Sequence, residues 1–262
     1  MSDNNLLETL IEEVSLTRQS IDELRKNHQD FAAFVQEKMD TAPFLNPFSP
    51  HAYLSFQALR ESCDLISQHM NHALIFRTNK PGDQHAVLIH ALEQVLIDGM
   101  ILEFGVYEGN SISLISKKFP QKEIFGFDSF EGLPSEWSGR HVKQGHFGKI
   151  QTPTVDDNVK LVKGWFDDTL PPFVEKNKDK PVSFLHIDCD LYSSTKTVFT
   201  HLKSNIKEGT IIVFDEYMNY TTWKEHEHKA FMEFCDAEKI RFSYLAFGLQ
   251  QASVRIESVE TL

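Results

Sequence analysis

A chain of 262 residues with 41% apolar content and 21 phenylalanines can hold one α/β domain of ordinary size plus an appendage. Its formal charge of −12 argues against a nucleic-acid partner or an anionic membrane surface. Three scattered cysteines, Cys63, Cys189 and Cys235, read as free thiols, the start Met1-Ser2-Asp3-Asn4-Asn5 lacks the regions of a signal peptide, and no apolar run approaches transmembrane length, so a reducing, cytoplasmic setting is expected.

Residues 3–39 contain neither proline nor glycine. Leu7, Val14, Ile21 and Val35 share one heptad position, and Leu10, Leu24 and Phe31 share another, interrupted by Thr17 and His28. This predicts an amphipathic helix over 1–42 that joins subunits of a homo-oligomer as a coiled coil; a helix packed on its own domain is the alternative. Pro43, Pro47 and Pro50 then mark a linker. A second helix is expected at 51–76, with Leu54, Phe56, Leu59, Cys63, Ile66 and Met70 on one face, followed by a turn at Asn79–Asp83. Residues 43–83 are thus a helical linker or lid, and 84–262 the main domain.

Within that domain a helix at 84–97 leads into alternating elements. Strands are expected at 100–106, 123–128, 159–163, 182–188 and 210–215, with helices at 109–119, 153–158, 170–177 and 193–206. A helix at 224–238 precedes two runs, 240–247 and 249–257, which Gly248 divides into an antiparallel hairpin at the sheet edge. The pattern is that of an α/β, Rossmann-like fold: a mostly parallel seven-stranded sheet with helices on both faces.

The run Leu102-Glu103-Phe104-Gly105-Val106-Tyr107-Glu108-Gly109-Asn110-Ser111 takes an apolar strand through a glycine turn into a helix pattern. Asp128 ends the next apolar run, where an acid can take the two hydroxyls of a ribose. The spacing is Glu-x-Gly-x-x-x-Gly, which suits S-adenosylmethionine better than a dinucleotide held by its pyrophosphate. A tight turn between a buried strand and a helix is the bland alternative.

Two further strands end in acids: His186-Ile187-Asp188-Cys189-Asp190 and Asp215-Glu216-Tyr217. Ligands of open α/β sheets bind beyond the carboxyl ends of strands, so four carboxylates are expected on the cofactor side. Oxygen donors without paired His or Cys favour Mg²⁺ or Mn²⁺. Helix capping and solvated loop acids are the alternatives. Neighbouring strand residues face opposite ways, so Asp215 and Glu216 can converge only if the chain there has already left the strand.

Three more stretches make the pattern specific: Phe127-Asp128-Ser129-Phe130-Glu131-Gly132-Leu133-Pro134, Val162-Lys163-Gly164-Trp165-Phe166-Asp167-Asp168-Thr169-Leu170-Pro171 and Ile187-Asp188-Cys189-Asp190-Leu191-Tyr192-Ser193-Ser194-Thr195. From about residue 84 to about 238 the chain resembles the macrocin O-methyltransferase family, class I metal-dependent enzymes that methylate sugar hydroxyls. The resemblance implies that Asp188, Asp215 and Glu216 occupy the metal-ligand positions and that Asp190 matches the general base. Glu216 departs from the family's usual Asp, His186 from its Arg and Cys189 from its Gly. The resemblance also implies Glu103, Gly105, Tyr107, Gly109 and Ser111 around the methionine end of the cofactor, Asp128 and Ser129 at the ribose, and Gly164, Trp165 and Phe166 at the adenine.

Other residues are read more plainly. His226-Glu227-His228 is taken as a solvated or packed helix face, since residues two apart on a helix do not face each other. His141 and His146 lie in a Gly-rich loop, 138–149, that is either a lid or a plain loop. Ser193-Ser194-Thr195 reads as a helix N-cap. Together these features suggest an S-adenosylmethionine-dependent O-methyltransferase acting, with a divalent metal, on a hydroxyl of a small molecule such as a sugar or glycosylated natural product. The competing readings are a nicotinamide-dependent oxidoreductase or epimerase, and a coiled-coil scaffold with a vestigial pocket.

Overall fold

Strands covered by helices on both faces must be largely apolar on both faces, and Met100–Phe104 and Val182–Ile187 are buried at every position, with Glu103, Ser183 and His186 as their polar members. The computed structural model describes Arg18 and residues 50–76, 85–148 and 151–259. The chain divides into two compact units, Met1–Phe56 and Gln57–Leu262, and the whole sheet belongs to the second. The heptad seam of 1–42, Pro43 and Pro47, and the turn at Asn79–Asp83 lie outside the described residues.

In chain order the elements are α1 (Pro50–His69), β1 (Leu74–Ile75), α2 (Ala86–Glu93), β2 (Met100–Phe104), α3 (Asn110–Lys118), β3 (Ile124–Asp128), β4 (Val159–Lys163), α4 (Phe166–Lys176), β5 (Val182–Ile187), α5 (Tyr192–Leu202), β6 (Ile206–Phe214), α6 (Glu227–Ala237), β7 (Ile240–Phe247) and β8 (Ala252–Val259). The strands form one sheet in the order β1-β7-β8-β6-β5-β2-β3-β4. All neighbouring pairs are parallel except β6–β8 and β7–β8. The expected hairpin is therefore present as β7 and β8.

Three expectations are corrected. The sheet has eight strands, not seven, because α1 stops at His69 and Leu74–Ile75 pairs with Ala246 and Phe247. That two-residue strand lies outside the hairpin, so β7 is not the sheet's edge. The helix expected at 153–158 is absent: Asn158 ties the segment to the end of α3, its amide donating to the carbonyls of Ser116, Phe119 and Lys122. The helix expected at 224–238 is broken at His226, between a 3₁₀ turn, Trp223–Glu225, and α6.

Alternation along the strands feeds two cores. Leu102, Phe104, Leu185, Ile187, Ile212 and Phe214 pack with Val198, Phe199, Leu202, Phe231 and Phe234 of α5 and α6. Ile101, Phe184, Ile211 and Val213 pack with Val87, Leu88, Ala91, Leu92, Ile112 and Ile115 of α2 and α3. Among the described residues, no helix is long and apolar enough to cross a membrane.

Strand order reverses between β2 and β5, and chains leaving that point in opposite directions open a crevice. The backbones there are in close approach. Gly105 follows β2 with φ +92, and a Cβ on it would run into the backbone carbonyl of Asp188 beyond β5. Both the positive φ and the contact demand glycine. Gly105→Ala is expected to lose at least about 2 kcal/mol of stability, read by denaturant unfolding; an unchanged midpoint would show that the two loops are free to separate.

Candidate active site

The crevice holds a cavity of about 490 Å³. Its walls come from the loops beyond β2, β3, β4, β5 and β6. Gly105 and Tyr107 stand on one side, and Asp128, Ser129, Leu133 and Pro134 on another. Trp165 and Phe166 form an aromatic wall, and Asp188, Cys189, Asp190 and Glu216 the acidic one. Tyr107 meets Phe147 edge to face across 5.4 Å, and both rings are about two-fifths exposed.

The residues expected around a cofactor divide. Gly105, Tyr107, Asp128, Ser129, Trp165 and Phe166 line the cavity; Glu103, Gly109, Ser111 and Gly164 do not. Glu103 is fully buried on β2, where its Oε1 lies 2.7 Å from Nδ1 of His186; its Oε2 has no partner. Gly109 takes φ +83 to start α3, and Ser111 is buried in the first turn of that helix. Gly164 donates its N–H to the carbonyl of Asp128 at 3.0 Å, which holds the two loops side by side. The Asp128 carboxylate accepts three backbone N–H bonds: Val106 and Tyr107 on Oδ2, at 2.8 and 2.9 Å, and Phe130 on Oδ1 at 2.7 Å. It thus shapes the glycine turn while facing the cavity. Ser129 Oγ accepts from the N–H of Glu131.

The acids converge. One carboxylate oxygen each of Asp188, Asp215 and Glu216 lies within 4.8 Å of the others. They can do so because the chain leaves β6 at Phe214, which frees Asp215 and Glu216 from strand alternation. Asp215 Oδ1 accepts from Nε2 of Gln251 at 3.3 Å, whereas Glu216 Oε2 is buried without a partner. Asp190 sits at φ +65 in a tight turn closed by Leu191 N–H on the carbonyl of Cys189. A non-glycine residue held there is strained, a state concentrated at functional sites. Burial pushes the Asp188 and Glu216 carboxyls well above the carboxylate range, with Asp215 and then Asp190 adding to the rise. Burial also lifts Asp190 to about 7, opposed by its hydrogen bond to Glu216 and by Arg140. An oxygen-only cluster with an orphaned buried oxygen fits a hard divalent cation, which would supply the missing partner charge.

Several neighbours escaped the sequence. Glu227 is fully buried, and its Oε1 and Oε2 accept the N–H groups of Asp190 and Glu216, each at 3.2 Å. Within His226-Glu227-His228, expected as a solvated or packed helix face, Glu227 is packed: the break at His226 makes it the first residue of α6 and turns it inward. Acids are common at helix starts, so the sequence carried no signal for it. The two histidines are packed, as expected: His226 against Trp137 and Tyr220, His228 against Tyr217 and Trp223. Burial lowers both, His228 to about 4. Arg140 stacks on Trp137 and Tyr220 and donates to Gln250, and the hydroxyls of Thr221 and Thr222 donate to the carbonyls of Gly139 and Ser138. The first part of loop 138–149 is therefore anchored. The N-cap of α5 is Leu191 without a side-chain cap bond, so Ser193-Ser194-Thr195 does not cap the helix; Ser193 and Ser194 instead line the cavity.

Residues 102–217 match the family model of a methyltransferase domain. The 4′-O-methyltransferase of Streptomyces olivaceus named for 8-demethyl-8-(2,3-dimethoxy-α-L-rhamnosyl)-tetracenomycin C is 26% identical over 156 residues, 50% of this chain and 58% of that protein. Mycinamicin III 3″-O-methyltransferase of Micromonospora griseorubida is 27% identical over 160 residues, 50% of this chain and 61% of the relative. The matches thus span less than two thirds of those relatives. Among solved structures, the calicheamicin methyltransferase CalS11 superposes with a TM-score of 0.56 at 23% identity, covering 67% of this chain and 80% of that one. The O-methyltransferase NovP gives 0.54 at 20%, covering 67% and 81%. Residues 102–217 thus match a methyltransferase domain, the fold is that of these solved methyltransferases, and the resemblance to macrocin-like O-methyltransferases is borne out.

The acid cluster sets the sign of a pH effect. Carboxyls raised in the folded state bind more protons than the unfolded chain does above about pH 4, so stability falls as pH rises through that window. For Asp190 the fall runs to about 7. In the presence of a chelator the melting temperature is expected to drop between pH 5 and 8. A flat or rising profile in a calorimetric scan would mean that these acids are not buried together.

Proposed function

We propose that this chain, whose residues 102–217 match a methyltransferase domain, is an S-adenosylmethionine-dependent O-methyltransferase assisted by Mg²⁺ or Mn²⁺ and acting on a hydroxyl of a sugar or glycosylated natural product. The observation that carries the reading is the meeting, beyond the β2–β5 switch point, of a glycine turn bordering the cavity with three carboxylates within 4.8 Å of one another, of which Asp188 and Glu216 line it. The sugar-modifying relatives supply the acceptor class.

In this reading Gly105 and Tyr107 border the methionine portion of the cofactor, and Glu103 and the α3 start at Gly109 and Ser111 support that turn from behind. Asp128 and Ser129 face the ribose, and Trp165 and Phe166, next to Gly164, flank the adenine. Asp188, Asp215 and Glu216 hold the cation. The sulfonium methyl of the cofactor is already activated, so the protein's task is to align the acceptor oxygen behind it. A bound divalent cation supplies a lowered hydroxyl pKa and a fixed orientation for neighbouring oxygens. Asp190 takes the hydroxyl proton on its carboxylate, and its raised pKa of about 7 suits a base working near neutrality. Trp165, Phe166 and Leu133 line the same cavity with apolar surface that limits water. Residues 1–42 serve homo-oligomer assembly and 43–83 link them to a domain at 84–262. The three free thiols suit a cytoplasmic setting.

Calorimetric titration tests the cofactor: S-adenosylmethionine is expected to bind and nicotinamide dinucleotides are not, and the reverse result would transfer the chain to a different enzyme class. Chelation is expected to abolish methyl transfer from labelled cofactor, with Mg²⁺ or Mn²⁺ restoring it; full activity in metal-free protein would remove the cation. Asp190→Asn is expected to lower kcat by about 10²–10⁴-fold with cofactor and metal affinity little changed. A rate within twofold of the parent would assign the proton to another group.

A further inference from the structure

The two acid pairs hang on different loops. Asp188 and Asp190 follow β5, and Asp215 and Glu216 follow β6. Neither loop is held in its acid-bearing conformation by the sheet ladder alone, because each has left its strand. Asp190 is at φ +65, and its N–H goes to Glu227 and not to a neighbouring strand. Glu227 answers both loops at once: Oε1 accepts from Asp190 N–H and Oε2 from Glu216 N–H, each at 3.2 Å, with the side chain fully buried.

A carboxyl suits this place: when ionised it offers two acceptor oxygens and no donor, whereas the amide of glutamine would turn an NH₂ toward one of the two backbone donors. Placement is equally specific. His226, whose φ and ψ of −116 and −124 break the helix, meets Ser138 Oγ through Nε2 at 3.1 Å and stands beside Trp137 and Tyr220. Glu227 therefore projects from a fixed point at the start of α6. Burial and the nearby charges of Asp190 and Asp215 push the Glu227 carboxyl well above the carboxylate range, and its two backbone N–H bonds oppose that rise.

We propose that Glu227 is a positioning residue that clamps the loops after β5 and β6 together, setting Asp190 and Glu216 in register without itself touching a substrate. The roles of those two acids rest on the function proposed above; the clamp itself does not. Glu227→Gln keeps the volume and breaks one bond. In the full-length variant, hydrogen exchange at the amides of Asp190 and Glu216 is expected to speed up by about tenfold or more. Mn²⁺, followed by its paramagnetic resonance signal, is expected to bind about tenfold more weakly, and kcat to fall while KM for S-adenosylmethionine holds. Glu227→Asp, which keeps the carboxyl but reaches one loop at a time, is expected to recover part of the Mn²⁺ affinity. Unchanged exchange and Mn²⁺ affinity in folded Glu227→Gln would overturn the proposal, as would a parallel loss of melting temperature and cofactor affinity, the pattern of a merely structural side chain. Should that variant not fold, the parent protein decides: amides of Asp190 and Glu216 that exchange as fast as those of open loops overturn the clamp. Parent protein that binds no Mn²⁺ overturns the metal reading alone, since exchange and the kcat–KM split still decide Glu227.

Discussion

Like charges brought close together in a poorly hydrated place repel, and the ends of β5 and β6 gather four acids with a fifth behind them. At 4.8 Å, the limit within which the oxygens of Asp188, Asp215 and Glu216 lie, two full charges repel by roughly 3 kcal/mol at an effective dielectric of about 20. The surroundings are organised around that repulsion. Glu216 and Arg140 hold the Asp190 pKa down against burial, and Gln251 donates to Asp215. Glu227 spends both oxygens on backbone N–H groups. What remains is the bare Oε2 of Glu216, an electrostatic demand that protonation or a cation meets.

The other half of the cavity solves a different problem, how to bring backbone close to a ligand. Gly105 lets the turn after β2 pass against the carbonyl of Asp188. Asp128 then fastens that turn, its two oxygens collecting the N–H groups of Val106, Tyr107 and Phe130. The same carboxylate therefore shapes the turn and faces the ligand space. Beneath it, Glu103 and His186 form a buried pair across β2 and β5, the two strands that flank the switch point. Glycine turn and acid loop are thereby joined at two depths, by backbone contact above and by side chains below.

The anchored part of loop 138–149 links this machinery to the far side of the cavity. Ser138 and Gly139 accept hydroxyl donors from Thr222 and Thr221, and Arg140 lies over the rings of Trp137 and Tyr220. Tyr220 in turn donates its hydroxyl to the carbonyl of Glu216. Further along the loop, Phe147 reaches Tyr107 at the rim. One loop thus reaches the glycine turn directly and the acidic wall through Tyr220.

The sequence by itself determined the alternating α/β plan, the glycine turn at Gly105 and the acids at Asp188, Asp190, Asp215 and Glu216, because these are local statements: apolar runs of strand length, a turn that excludes a Cβ, and polar residues at strand ends. It misread the segment at 153–158 as helix, and it missed β1, whose two residues carry no period of their own and become a strand only by pairing with β7. Tertiary structure alone decided that Asp215 leaves the strand one residue past Phe214, which lets adjacent acids converge. It also decided that Glu103 pairs with His186, 83 positions away, and that Glu227 turns inward to hold Asp190, 37 positions away. A carboxylate's neighbours across a sheet are set by strand order and by a single helix break, and neither leaves a mark in the spacing of residues along the chain.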